Sequence, residues 1–157
     1  MASRLLTVLS LLGLGVACGP PPGSVSGTWS GSIRDTLNCN PCRALYGLSL
    51  HESSDGAITG TVAADIVFEH DAVSAAARVN GVRRADTVDL LFISVSDGGT
   101  ERTRQGITGV MAPDLSSIRG ELWFTPDSTI PQHRPIVLVR AELDSALLTI
   151  LSDAKLR

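Results

Sequence analysis

Val25-Ser26-Gly27-Thr28-Trp29-Ser30-Gly31-Ser32-Ile33 is the stretch of this 157-residue sequence that decides the predicted fold. Every second position in it carries an apolar residue or a glycine, and the positions between them carry serine or threonine. Successive side chains of a β-strand point to opposite faces, so this period of two predicts a half-buried strand. Trp29 lies at the centre of the face that is expected to point inward.

The same arrangement, a glycine between two apolar residues on one face, returns at 58–62, 107–111 and 118–122. Inward glycines let a sheet curve tightly and leave room for larger side chains opposite. Alternation and turn-forming residues together predict eight strands. These are 25–34, 45–52, 57–63, 72–79, 87–95, 104–111, 117–124 and 135–141.

Eight strands with short links favour an antiparallel meander, and closing it into a barrel removes its exposed edges. We therefore expect an all-β barrel domain over residues 25–141, with an open two-sheet sandwich as the alternative. The fourth strand is expected to end at the turn signature Asn80-Gly81. Alanines at 75 and 77 should line an otherwise aliphatic interior.

The end of the sequence has a helical pattern instead. Apolar residues recur there at a spacing of three or four, which is typical of an amphipathic helix: Leu143, Ala146, Leu147, Ile150 and Leu151. A helix is therefore predicted within residues 142–157. It would cover the outward apolar side chains of the fifth and eighth strands.

The beginning of the sequence predicts export. Arg4 precedes an apolar run over 5–16, which is too short to cross a bilayer of about 30 Å but suits a signal peptide. The run ends in Leu14-Gly15-Val16-Ala17-Cys18-Gly19, which resembles the lipobox of bacterial lipoproteins. That resemblance implies removal of residues 1–17 and a lipid on Cys18. An ordinary signal peptide, with Cys18 as an unmodified thiol, is the alternative.

The lipobox resemblance also implies a location in the cell. A glycine at position 19 favours the outer membrane, with the domain in the periplasm of the cell envelope. Residues 18–24 are rich in proline and glycine and are expected to form a short tether. The lipid on Cys18 would then hold the domain to the membrane.

Cys39-Asn40-Pro41-Cys42 is the motif that suggests a chemistry. With Cys18 assigned to the lipid, Cys39 and Cys42 are expected to form a structural disulfide in an oxidising compartment. Thiol–disulfide exchange is the alternative, but it usually needs the motif at the start of a long helix. Here the motif lies between two predicted strands.

Other chemistries have little support. The net charge is −3 and the longest basic run is Arg83-Arg84, so no nucleic-acid binding is expected. His51, His70 and His133 are isolated, and we predict no metal site and no cofactor. There is no G-x-S-x-G motif, and we predict no catalytic residue and no enzymatic activity.

Gly27-Thr28-Trp29 resembles the G-x-W motif of the lipocalin and calycin barrels. That resemblance implies that Trp29 closes one end of the barrel and that an arginine from the last strand, here Arg140, packs over it. It also implies a helix after the last strand. The chain resembles, in addition, small bacterial lipoproteins that begin G-T-W-x-G-S and repeat I-T-G-T, a resemblance that implies no activity.

The sequence thus leads to three functional hypotheses. The first is a non-enzymatic, membrane-anchored barrel that binds a small apolar ligand in its interior or at its mouth. The second is a module that binds or inhibits another envelope protein through the links at 36–43 and 126–134. The third is thiol exchange through Cys39 and Cys42.

Overall fold

Eight antiparallel strands make up this structure, a computed structural model that describes residues 23–35, 42–67, 72–95, 101–125 and 132–140. Each strand pairs with its neighbours in the chain, and the last pairs with the first to close the barrel. The strands are β1 (Gly27–Asp35), β2 (Cys42–Glu52), β3 (Ala57–Val67), β4 (Ala72–Arg84), β5 (Thr87–Val95), β6 (Glu101–Met111), β7 (Ser117–Phe124) and β8 (Gln132–Arg140). The predicted meander barrel is confirmed, and the open sandwich is wrong.

The inner face of the barrel is the apolar face that the alternation predicts. Its largest fully buried side chains come from every strand of the barrel: Trp29, Leu48, Ile58, Val79, Leu90, Ile107, Ile118, Leu122 and Leu138. Serine, threonine and charged residues alternate with them on the outer face, as in a small barrel whose interior is filled by side chains.

Inward glycines allow close approach between strands at defined places. At Gly31, an added Cβ would lie 2.7 Å from the carbonyl oxygen of Val137 and 2.8 Å from the Leu138 side chain. Gly109 and Gly120 are direct partners across β6 and β7. An alanine at position 120 would overlap the carbonyl oxygen of Thr108. The repeated glycines are therefore required by backbone packing.

The fourth strand differs from its prediction. Instead of ending at Asn80-Gly81, β4 continues to Arg84, and the turn falls at Ala85-Asp86. Gly81 pairs with a β3 residue on one side and with Leu90 of β5 on the other, so it is held inside two ladders. An added Cβ there would lie 2.9 Å from the Leu90 side chain, which explains the glycine without a turn.

The two ends of the barrel differ. The closed end carries the segment 23–26, the turns at 53–56, 85–86 and 112–116, and the last residue of β8. At the opposite end, the open end, β1, β3, β5 and β7 end and β2, β4, β6 and β8 begin. The links 36–41, 68–71, 96–100 and 126–131 are outside the described residues. The predicted C-terminal helix at 142–157 is also outside them.

The seam between the first and last strands is short. Of the described residues, Trp29–Gly31 of β1 pair with Leu138–Arg140 of β8, and both strands continue toward the open end without further pairing between them. Pro135 lies in the part of β8 that lacks a β1 partner. Since proline has no N–H to donate, it is typical of such an edge.

Candidate functional site

Trp29 fills the centre of the closed end. Its side chain is fully buried, and its indole Nε1 donates a hydrogen bond of 2.8 Å to the carbonyl oxygen of Val25. The guanidinium carbon of Arg140 lies 4.6 Å from the centroid of the Trp29 ring, a cation–π contact. The structure thus brings together the two residues that the lipocalin resemblance singles out.

Arg140 also binds the chain that precedes β1. Its Nη1 donates to the carbonyl oxygen of Ser26 at 2.9 Å, and its Nη2 donates to that of Ser24 at 2.6 Å. Its Nε donates to the carbonyl oxygen of Leu115 at 3.2 Å. Gly27 has a φ of +132°, a backbone conformation that residues with a Cβ rarely adopt, so glycine suits this position.

A partly buried ion pair between β2 and β4 also holds this segment. Glu52 is buried; its Oε1 lies 2.9 Å from Arg83 Nε, and its Oε2 accepts a hydrogen bond of 2.8 Å from the Val25 amide. Arg83 also donates to the carbonyl oxygen of Gly23, and the Glu52 amide donates to Ser26 Oγ at 2.8 Å. The set formed by Arg140, Glu52 and Arg83 around residues 23–26 is here called the closed-end lock.

Sequence reasoning missed Glu52 and Arg83. The signal was nevertheless present, because the alternation of β2 puts Glu52 on the same face as Leu48 and Leu50. An acidic and a basic residue at inward positions of neighbouring parts of a barrel have to pair, since unpaired buried charge is costly.

The open-end cavity is a concave site in the mouth of the barrel, among the described residues. It measures about 230 Å³, and small or apolar side chains make up most of its wall, including both interior alanines of the prediction: Tyr46, Val62, Ala64, Ala75, Ala77 and Phe92. Ser94 and Gln105 add polar groups. Alanine at three of these positions leaves the space that larger side chains fill elsewhere in the core.

Tyr46, the one tyrosine of the chain, lies at the inner boundary of the open-end cavity. Its side chain is 3% exposed, and this burial raises its pKa to about 12, because the phenolate is poorly solvated inside the barrel. The tyrosine is therefore neutral throughout the physiological range and serves as a hydrophobic wall with one hydroxyl group.

A second and larger depression, the seam groove, lies where β1 and β8 separate. It measures about 560 Å³ and is lined mainly from the outer faces of β8, β1 and β2. Its apolar residues include Leu45, Pro135, Ile136, Val137 and Val139. Ser30, Ser32 and Arg43 add polar groups to its wall. Val137 and Val139 are 40% and 45% exposed, so this groove is open to solvent.

The other residues singled out in the sequence are spread over the molecule. His51 is exposed on the outer face, and His133 Nδ1 lies 3.1 Å from Glu121 Oε2 at the surface. Cys18, Cys39 and His70 are outside the described residues, and so is the side chain of Cys42, so the predicted lipid site and disulfide stay predictions.

The described residues hold neither a cluster of metal ligands nor a membrane-spanning helix. In that part of the chain, no three side chains of His, Cys, Asp or Glu lie close enough together to hold a metal ion. Nor does it include a helix with the length and apolarity needed to cross a membrane.

These features define a class of protein by geometry: a closed, eight-stranded antiparallel barrel, consistent with a lipocalin-like barrel, with one end locked and a cavity at the other. No protein-family model and no curated protein matches the chain. Its function has to be argued from the two ends of the barrel.

Proposed function

We propose that the protein is a non-enzymatic, lipid-anchored component of the bacterial cell envelope that binds a small apolar ligand in the open-end cavity. The open-end cavity carries this proposal, since it is an apolar space within the barrel wall at the end opposite the closed-end lock. The apolar leader and the lipobox-like sequence at Cys18 support an anchor in the outer membrane that faces the periplasm.

The volume of the cavity restricts the ligand. An apolar cavity of about 150 Å³ is large enough to hold benzene. The open-end cavity, at about 230 Å³, would therefore take one or two fused rings or a short alkyl group. Phe92 and Val62 offer apolar contact, and Gln105 with Ser94 offers polar groups at the rim.

The seam groove is larger but suits such a ligand less well. Its wall includes serine hydroxyls and Arg43, and its valines stand on the outer face of the barrel. A small apolar molecule gains most where it loses contact with water on every side. The interior position of the open-end cavity meets that condition better.

The test is a binding titration with the mature chain carrying Cys18→Ser, so that it stays in solution. We expect a saturable fluorescence increase with 1-aminonaphthalene, an apolar probe of two fused rings. Ala77→Phe fills the cavity and should weaken binding by about tenfold or more. Ala57→Phe is the matched control, because Ala57 is exposed at the closed-end start of β3, and it should bind like the parent.

Ala75→Phe is a second blocking variant, in case Ala77→Phe perturbs folding, because Ala75 is exposed at the mouth. The proposal would be overturned by the absence of saturable binding to the parent. It would also be overturned if both blocking variants bound the probe as tightly as Ala57→Phe does.

A further inference from the structure

We propose that the closed end of the barrel faces the membrane, so that the open-end cavity points away from the bilayer and exchanges its ligand with the aqueous side. This inference rests on the proposed lipid anchor at Cys18. Its direction comes from the closed-end lock.

The first step is the position at which the chain leaves the barrel. Arg140 binds the carbonyl groups of Ser24 and Ser26, and Glu52 accepts the Val25 amide hydrogen bond. Arg83 binds the carbonyl group of Gly23. Hydrogen bonds to charged groups are among the stronger ones in proteins, and these come from β8, β2 and β4. Residue 23 is therefore fixed at the closed end.

The second step is the length of chain between the anchor and this fixed point. Cys18 and Gly23 are separated by four residues, and so short a segment reaches at most about 18 Å when fully extended. A nine-residue strand spans about 30 Å, and its tilt in a barrel reduces this to roughly 23 Å along the axis. If the open end faced the bilayer, residue 23 would lie at the far end of the barrel, farther from the bilayer than the segment from Cys18 can reach. A lipid on Cys18 could then not be inserted in the bilayer.

The third step is to ask whether the barrel could instead lie with its outer wall on the bilayer. On the outer face of β6, β7 and β8, Val110 and Val137 are separated by Arg119, which pairs with both of them. Arg119 is exposed, and so is Glu121 further along the same strand. This face has no continuous apolar surface on which the barrel would lie along a bilayer. An end-on arrangement, with the closed end toward the bilayer, agrees with the polar character of this face.

The arrangement narrows the class of ligand. A cavity that opens away from the bilayer receives molecules through water, so its ligand has to be at least sparingly soluble. The volume of about 230 Å³ agrees with a small aromatic or short-chain compound and is too small for the two acyl chains of a membrane phospholipid. The proposal therefore excludes direct extraction of lipid from the anchoring membrane.

The experiment uses the full-length protein, processed in cells, purified with its lipid and reconstituted in phosphatidylcholine vesicles with a headgroup nitroxide lipid. A fluorophore is attached through Ser54→azidophenylalanine at the closed end, or through Val67→azidophenylalanine at the open end; both sites are exposed. Nitroxide quenching acts at short range. We expect quenching at position 54 to exceed that at position 67 by about threefold or more, given the length of the barrel.

A matched control adds twenty glycine and serine residues between Pro22 and Gly23, which lengthens the tether while leaving the closed-end lock intact. This insertion should remove the difference between the two positions. Equal quenching at 54 and 67 in the parent, or stronger quenching at 67, would overturn the proposed orientation. The mass of the purified protein shows whether Cys18 carries a lipid. If it does, the quenching result tests the orientation alone; if it does not, both the anchor and the orientation are refuted.

Discussion

At the scale of single residues, Arg140 combines two contacts that few side chains could make together. Its guanidinium group donates to the carbonyl oxygens of Ser24, Ser26 and Leu115 while its flat face covers the ring of Trp29. Lysine carries the same charge, but it lacks the planar fork of donors that reaches in several directions at once.

We expect Arg140→Lys to lower the free energy of unfolding by about 2 kcal/mol, because it loses part of the hydrogen bonding and the stacking on Trp29. Urea unfolding followed by tryptophan fluorescence measures this change. Arg119→Lys, on the exposed outer face of β7, is the matched control and should change stability by less than about 0.5 kcal/mol. Equal effects of the two variants would contradict the role given to Arg140.

Tyr46 gives a prediction about pH. Its pKa is raised to about 12 in the folded barrel, whereas an unfolded tyrosine titrates near 10.0. The folded state therefore keeps its proton over a range in which the unfolded state loses it, so this contribution is complete below pH 10 and is lost as pH rises toward 12. The loss amounts to about 3 kcal/mol.

Absorbance at the phenolate band follows this titration without interference, because Tyr46 is the one tyrosine in the sequence. We expect a midpoint well above that of the same chain in urea. A midpoint in the folded protein equal to that in urea would contradict the buried position of Tyr46 beside the open-end cavity.

At the scale of the strands, the paired glycines of β6 and β7 set how closely these two strands pack. Gly120→Ala places a methyl group against the Thr108 carbonyl and the Gly109 backbone, neither of which can rotate away. We expect a loss of about 3 kcal/mol in unfolding free energy. Urea unfolding compares it with Arg119→Ala, the exposed neighbouring position, which should be nearly neutral. A neutral Gly120→Ala would mean that the two strands separate easily.

The sequence predicts most strands well because a period of two is a local property. It fails at the end of β4, where Asn80-Gly81 has the composition of a turn and yet lies within two ladders. What keeps the strand extended is pairing of Gly81 with Leu90 of β5 and with Ile58 of β3, which lies far away in the sequence. Contacts of that kind cannot be read from a short window.

The candidate site was predictable to a similar degree. Trp29 and Arg140 could be named from a motif and from strand parity, and Ala75 and Ala77 from their small size in an apolar interior. The volume of the cavity could not be predicted, since it depends on the spacing between side chains of five strands, β2 to β6. The ion pair between Glu52 and Arg83 could not be predicted either, because the sequence does not show which inward-facing charge of another strand contacts Glu52.

At the scale of the whole molecule, the barrel has two ends with different chemistry. Charged side chains and backbone carbonyls meet at the closed end, where residues 23–26 are held. Alanines and aromatic side chains border the open end. This difference supports both proposals, because it fixes where a ligand would enter and where the anchoring chain leaves.

The contact between Arg140 and Ser24 means that the first and last described residues of the barrel emerge at one pole. A fusion partner, a purification tag or a surface-coupling group joined before residue 23 or after residue 140 would therefore leave the opposite opening unobstructed. For a sensor built on this scaffold, immobilisation directly at residue 23 or residue 140 keeps the open end toward the solution.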